Sequence, residues 1–69
     1  MKFSAIITKE DKLYVALCPE LNVVSQGITE KDALANLKEA VELFLEDVDA
    51  KEVIKNIHPA KMFSMEIPA

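Results

Sequence analysis

The side chains that could carry chemistry in this sequence are twelve Asp and Glu residues, one cysteine and one histidine. Cys18 and His58 could in principle form a nucleophile–base pair, but such a pair also needs an orienting group and an oxyanion site. Because Cys18 ends an apolar run and precedes Pro19, we interpret it as a small packing residue. We interpret His58, which precedes Pro59, as a loop residue. These residues favour a protein that is not an enzyme.

The acidic residues collect on one side of a predicted helix, where nothing desolvates them or shifts their pKa. A single cysteine and a single histidine cannot form a Cys/His zinc site, and one glycine cannot build a phosphate-binding loop. We therefore predict no catalytic residues, no metal and no cofactor. One enzymatic alternative stays open, a residual metal-dependent nuclease, for which the predicted strands offer Glu66 and little else.

Composition indicates one globular domain that spans residues 1–69, with 51% hydrophobic and 29% charged residues. A net charge of −4 disfavours direct binding to nucleic acid. Neither a signal peptide nor an apolar stretch long enough to span a membrane is present in the sequence, so we expect a cytoplasmic protein. A domain of this size has a thin core and no possible internal disulfide. We therefore predict a homodimer or a higher homo-oligomer.

The pattern of apolar residues predicts an α+β fold. Strands are expected at 2–9, 12–18 and 23–26, and the first two form a hairpin around a polar turn. Both faces of the second strand carry apolar groups, which indicates a central strand or an oligomer contact. Gly27 ends the third strand, at a bulge or at a position with positive φ.

Helical spacing begins after Thr29, a good N-cap with an acidic residue, Asp32, three positions on. Apolar residues then recur every three or four positions, which predicts an amphipathic helix over about 30–47. A short second helix is expected within 49–57, and a fourth, C-terminal strand at 61–67. The prediction is thus a three-stranded antiparallel meander, one long helix and a further strand that joins a sheet edge or pairs with another subunit.

Three motifs in order carry a family resemblance: YVALCPEL at 14–21, SQGIT at 25–29, and a helix at 32–45 with the pattern Ala-x-x-Asn-Leu-x-Glu-Ala. Together they resemble the HicB-like antitoxin family over about residues 3–46. The resemblance implies a fold like a truncated ribonuclease H, without ribonuclease activity. It also implies a partner, a small basic toxin of the HicA type that cleaves mRNA and that the antitoxin binds and blocks.

The residues that the resemblance singles out are structural. Gln26 and Gly27 shape the turn into the helix, Thr29 caps it, and small residues let the helix approach the sheet. We expect the side chain of Asn36 to bond backbone in the loop near 19–21, because a half-buried amide must be satisfied. With the loop proline, the set is Pro19, Gln26, Gly27, Thr29, Ala33, Asn36 and Ala40.

Two functions from different classes remain open. In the first, an acidic surface faces a basic toxin; its candidate residues are Glu39, Glu42, Glu46, Asp47 and, less centrally, Asp49. These acids could equally serve only to keep an oligomer soluble. In the second, the chain is an orphan domain with a structural or regulatory role and no toxin. Longer family members often append a DNA-binding domain; the sequence to Ala69 leaves no room for one, so autoregulation by this chain alone is not expected.

Overall fold

A computed structural model describes residues 2–68, and its framework is a three-stranded antiparallel sheet with a long helix on one face. The strands lie side by side in chain order, which makes β2 the central strand and β1 and β3 the two edges. A short second helix follows the long one. The elements are β1 (Ile6–Glu10), β2 (Leu13–Cys18), β3 (Val23–Gly27), α1 (Glu30–Leu45) and α2 (Val48–Ile54). The predicted α+β class, with its meander and long helix, is confirmed.

Tight turns set the register of the meander. Asp11 lies in the turn between β1 and β2 with φ 55°, and Asn22 lies before β3 with φ 56°. Asp and Asn tolerate this left-handed region better than other residues that have a Cβ atom. The resulting register aligns Ile6 with Leu17 across the first pair of strands and Leu17 with Val24 across the second.

The core lies between α1 and one face of the sheet, and it is built largely from small side chains. Ala16 and Cys18 contribute from β2, and Ala33 and Leu37 contribute from α1. The other buried residues are Leu21, Ala50 and Ile54. The helix packs against β3 and β2 and hardly touches β1, so the β1 side of this face is left largely uncovered. The molecule is only 15 Å thick along its shortest axis.

The helices differ slightly from the expected bounds. α1 ends at Leu45 rather than near 47, because Asp47 serves as the N-cap of α2 and its carboxylate accepts the Asp49 N–H at 2.8 Å. α2 ends at Ile54, and the chain continues through turns closed by the N–H groups of Asn56 and Ile57. Within residues 2–68, no helix is long and apolar enough to cross a bilayer.

The two ends of the chain depart further from the prediction. β1 begins at Ile6 rather than Lys2, because the Ser4 N–H bonds a side chain of the loop after β2 instead of a neighbouring strand. The fourth strand expected at 61–67 is wrong for this structure: the described residues from 58 to 68 contain no strand. The Ala60 N–H is likewise bonded to a side chain, and none of the described residues beyond it pairs with a strand of the sheet.

Candidate functional site

Cys18 and His58, the candidate nucleophile and base, are placed in very different surroundings. Cys18 is 1% exposed, and its Sγ donates to Glu20 Oε1 at 3.5 Å. Desolvation by burial raises the pKa of the Cys18 thiol, which keeps it protonated and poorly nucleophilic. His58 lies exposed in the segment after α2. The hydrogen-bond partner of the thiol is therefore a carboxylate, not the imidazole that a nucleophile pair would need.

Glu20 links three separate parts of the chain, which sequence reasoning did not anticipate. Its Oε1 accepts the Ser4 N–H at 2.8 Å, and its Oε2 accepts the Ala60 N–H at 2.7 Å. Partial desolvation alone would raise the pKa of Glu20, but the donors of Ser4 and Ala60 outweigh it and lower the pKa to about 2. The loop after β2, the entry to β1 and the C-terminal segment are thus fastened at one carboxylate. In the sequence, only the presence of a glutamate in the YVALCPEL motif indicated this link.

An open groove of about 710 Å³ runs between α1 and the entry to β1. Its floor and walls are almost entirely apolar, since the helix leaves the β1 side of the sheet uncovered. Charged side chains reach it only from α1, where Lys31, Lys38 and Glu42 line its rim. Its apolar lining includes Phe3, Ala5, Leu34, Leu37, Val41 and Leu45. The shape and lining suit an apolar peptide segment rather than a small polar ligand.

Among residues 2–68, no helix covers the other face of the sheet. Ile6, Leu17 and Val24 lie opposite one another across the three strands and form an apolar row there. Val24 is 57% exposed, whereas Ile6 and Leu17 are half-buried. β2 therefore has apolar side chains on both faces, as its sequence indicated.

The acidic residues predicted to contact a partner do not converge on one point. Glu39, Glu42 and Glu46 are all exposed, and Glu42 is the only one of these three that lines the groove. Asp47 is exposed too, but its carboxylate is engaged as the N-cap of α2. Across residues 2–68, no group of three or more His, Cys, Asp or Glu side chains is arranged to hold a metal ion.

Several of the motif residues lie where β3 passes into α1. Thr29 is the N-cap of α1, and its Oγ1 accepts the Asp32 N–H at 3.0 Å. The Asn36 side chain donates to the Gln26 carbonyl at 2.8 Å. It bonds backbone as expected, but at β3 rather than near 19–21, and the residue is exposed rather than half-buried, so the expected location and burial were wrong. Pro19 is half-buried in the loop after β2, and Ala40 is half-buried on α1.

Gly27 is needed for close packing rather than for an unusual backbone angle. Its φ is not positive, and it pairs with Tyr14 in an unbroken register as the last residue of β3, so neither the positive φ nor the bulge that the sequence suggested is present. A Cβ atom at this position would lie 2.4 Å from the Ala33 nitrogen and 2.7 Å from the Asp32 carbonyl carbon. The first turn of α1 therefore rests directly on the end of β3, and only glycine leaves room for it.

The fold and these surfaces define a small α+β domain with an uncovered apolar groove and an acidic helix. The chain is similar to a UPF0150 protein of Helicobacter pylori, with 44% identity over 54 residues that cover 77% of this chain and 75% of the relative. It is also similar to a UPF0150 protein of Thermoplasma acidophilum, with 46% identity over 50 residues that cover 70% of this chain and 72% of the relative. The chain belongs to the UPF0150 family. No family model and no solved structure matches it.

Proposed function

We propose that this protein is a protein-binding module of the HicB-like antitoxin type, which neutralises a small basic, mRNA-cleaving toxin by covering part of its surface. The observation that carries the proposal is the surface of α1. It presents the exposed carboxylates of Glu39, Glu42 and Glu46 beside an apolar groove that Glu42 lines. An acidic, partly apolar surface complements a basic protein in both charge and hydrophobicity.

The motif pattern adds support from the sequence. Its three parts fall on β2, on the turn from β3 into α1, and on α1 itself. Of these, α1 carries the acidic surface and most of the groove lining, and β2 contributes Cys18 to the groove. The kinship with a truncated ribonuclease H fold belongs to the same proposal, as does action in the cytoplasm, where a toxin of this type meets mRNA. We also propose that the chain associates with itself.

The decisive experiment uses the full chain and a basic protein of the HicA type, sought first in the genes next to its own. The two proteins are expressed together, and binding is measured by calorimetry at low and at moderate salt, alongside protection of a test mRNA from cleavage. We expect binding that weakens with salt and protection that follows binding. Failure to bind, or cleavage that continues in the presence of excess protein, would contradict the proposal.

Reversing charges on α1, and separately on β1 as a control, tests whether the acidic surface of α1 contacts the toxin. Glu39→Lys combined with Glu46→Lys should weaken binding at low salt by about tenfold or more, mainly by slowing association. Glu10→Lys changes an exposed carboxylate on β1, away from α1, and should leave binding nearly unchanged. Equal effects of the two changes would place the toxin contact elsewhere on the protein.

A second candidate is an orphan domain with a structural or regulatory role and no toxin partner. The observation that favours it is the apolar row on the uncovered sheet face, formed by Ile6, Leu17 and Val24. Such a row suits contacts between like subunits and requires no basic partner. A protein that self-associates but binds no HicA-type protein would favour this second candidate.

A further inference from the structure

The apolar groove between α1 and the entry to β1 has a charge opposite in sign to that of the whole chain. Lys31 and Lys38 are the two lysines of α1, and both line the groove. Of the acidic residues of α1, only Glu42 lines it. The chain has a net charge of −4, so the groove is a locally cationic site in an acidic protein.

The two lysines have no anionic partner within residues 2–68. The ion pair found in that part of the chain joins Lys55 to Glu52. Lys38 and Glu42 are one helical turn apart on α1, yet they form no ion pair. Lys31 and Lys38 are both exposed, so their ammonium groups are accessible to an anion from solution.

The rest of the groove lining is mostly apolar. Leu34, Val41 and Leu45 line it from α1, and Phe3 lines it from the entry to β1. The groove volume of about 710 Å³ lies within the roughly 300–1,000 Å³ of small-molecule sites. A ligand that matches this lining combines one anionic group with a long apolar part.

The uncharged polar side chains that line the groove, Ser4 and Cys18, are already engaged. The Ser4 N–H donates to Glu20, Ser4 Oγ donates to the Ala60 carbonyl, and the Cys18 thiol donates to Glu20. An extended peptide would need partners for its own backbone groups, and leaving them unpaired on an apolar surface is costly. An alkyl chain has no such groups to satisfy.

We propose that the groove binds a long-chain fatty acid. Lys31 and Lys38 hold its carboxylate, and its alkyl chain lies along the apolar lining. This inference does not rest on the proposed function, because Glu39 and Glu46, the carboxylates reversed in the toxin test, do not line the groove.

The dimensions of α1 set the orientation and the length of the ligand. Lys31 and Lys38 lie two turns apart on α1, about 10 Å along its axis, so their flexible side chains can meet one carboxylate between them. Glu42 repels a carboxylate further along, so the alkyl chain runs towards Leu45. That path, from the midpoint of the lysines to Leu45, is about 15 Å long. An extended chain of about twelve carbons covers it, because bonds of about 1.5 Å advance a zigzag chain by about 1.3 Å each.

The test titrates the full chain with sodium dodecanoate below its micellar concentration, by calorimetry and by NMR. We expect saturable binding of one ligand per chain, with shifted amide signals in the groove-lining residues of α1 and at the entry to β1. Decanoate should bind more weakly, because each buried methylene strengthens binding by up to about fourfold. Dodecyltrimethylammonium, which has the same chain and a cationic head, should bind more weakly by about tenfold or more.

Lysine variants test the contact with the carboxylate. Lys31→Gln combined with Lys38→Gln removes both charges and keeps a similar helix propensity. It should weaken dodecanoate binding by about fivefold to tenfold and remove most of its dependence on salt. Lys12→Gln combined with Lys51→Gln removes two exposed lysines outside the groove and should leave binding unchanged.

Leucine variants of α1 test the contact with the alkyl chain. Leu34 lines the groove and is 49% exposed, whereas Leu43 is 63% exposed and does not line it. Leu34→Gln should weaken dodecanoate binding by about fivefold, and Leu43→Gln should leave it unchanged. Both variants should keep the circular dichroism of the unmodified chain, because neither side chain belongs to the core.

Several results would overturn the fatty-acid site. They are a lack of binding below the micellar concentration, equal binding of the cationic amphiphile, equal losses in the groove variants and their controls, and shifts confined to the exposed apolar side chains of residues 62–67. Groove signals that change with protein concentration but not with dodecanoate would assign the groove to a second copy. Groove signals that respond only to an acidic amphipathic peptide would assign it to a protein partner. Each of these results excludes the fatty acid, and none depends on whether the chain binds a toxin.

Discussion

Glu20 illustrates how a single half-buried carboxylate can hold together segments that lie far apart in the sequence. Its two oxygens accept backbone N–H groups from Ser4 and Ala60, sixteen and forty residues away. Hydrogen bonds to an ionised acceptor are stronger than neutral ones. The ionised form is therefore favoured in the folded state, and the pKa falls to about 2.

Replacing Glu20 by Gln should lower the free energy of unfolding at neutral pH by about 1–2 kcal/mol, because an amide is a weaker acceptor than a carboxylate. Since the folded-state pKa of about 2 lies below the ordinary value of 4.5, the stabilisation is complete above pH 4.5 and is lost as the pH falls towards 2. Urea unfolding at pH 7 and pH 3 measures both effects. The difference between the proteins should shrink at pH 3, whereas Glu10→Gln should change neither curve. A pH-independent difference would contradict this role for Glu20.

Asn36 has a comparable local role on α1. Its side-chain amide donates to the Gln26 carbonyl at 2.8 Å, which satisfies a backbone acceptor of the edge strand β3. Asn36→Asp keeps the shape and a similar helix propensity but replaces the donor with an acceptor. We expect the free energy of unfolding to fall by about 1 kcal/mol, as measured by urea titration. Asn56→Asp, at an exposed position after α2, is the control; an equal loss there would mean that the Asn36 bond contributes little.

At the scale of elements, the junction of β3 and α1 determines how closely the helix approaches the sheet. Gly27→Ala would bring a Cβ atom to 2.4 Å from the Ala33 nitrogen, and the obstacle is backbone rather than a movable side chain. The helix would have to shift, and we expect the free energy of unfolding to fall by about 2–3 kcal/mol. Thermal unfolding followed by circular dichroism measures the loss. Gln26→Ala changes an exposed neighbour and should be nearly neutral; a stable Gly27→Ala variant would show that the junction can relax.

α1 could be predicted from sequence because its signals are local. Thr29 is an N-cap by residue type, and the apolar repeat identifies the buried side of the helix within a few residues. The meander was predictable for the same reason, since short alternating runs are separated by turn residues. The start of β1 was predicted too early: the strand begins late because a distant glutamate takes the Ser4 N–H, and such a long-range bond has no local signal.

The C-terminal segment shows where local patterns are insufficient. Residues 61–67 have strand-like composition, but a strand needs a neighbour, and the Ala60 N–H is bonded to Glu20 instead of to a strand. The groove was also not predictable, because it depends on α1 covering β3 and β2 while leaving the β1 side open. Of the candidate partner residues, only Glu42 lines the groove. Helix periodicity marks Glu42 as exposed but does not place it beside an uncovered strand.

At the scale of the whole molecule, apolar surface exceeds what the chain can bury. The buried set consists of alanines, one cysteine and three larger aliphatic side chains, whereas Phe63, Met65 and Ile67 are more than 70% exposed. A two-layer structure 15 Å thick offers little interior for them. Because burial of apolar surface is the main source of folding free energy, the stability of this protein should depend on contacts between copies.

This dependence makes stability a function of protein concentration. If folding is coupled to dimer formation, a hundredfold increase in concentration adds about 2.7 kcal/mol to the free energy of unfolding per dimer. Thermal unfolding of the full chain over that range should therefore show a midpoint that rises by several degrees. Replacing both Phe63 and Met65, which are 79% and 82% exposed, by Glu should give a lower midpoint that does not change with concentration. Val53→Glu, which alters an exposed apolar side chain on α2, should follow the unmodified chain. A midpoint of the unmodified chain that is independent of concentration would mean that one copy folds and stays folded by itself, with its apolar segment exposed to water.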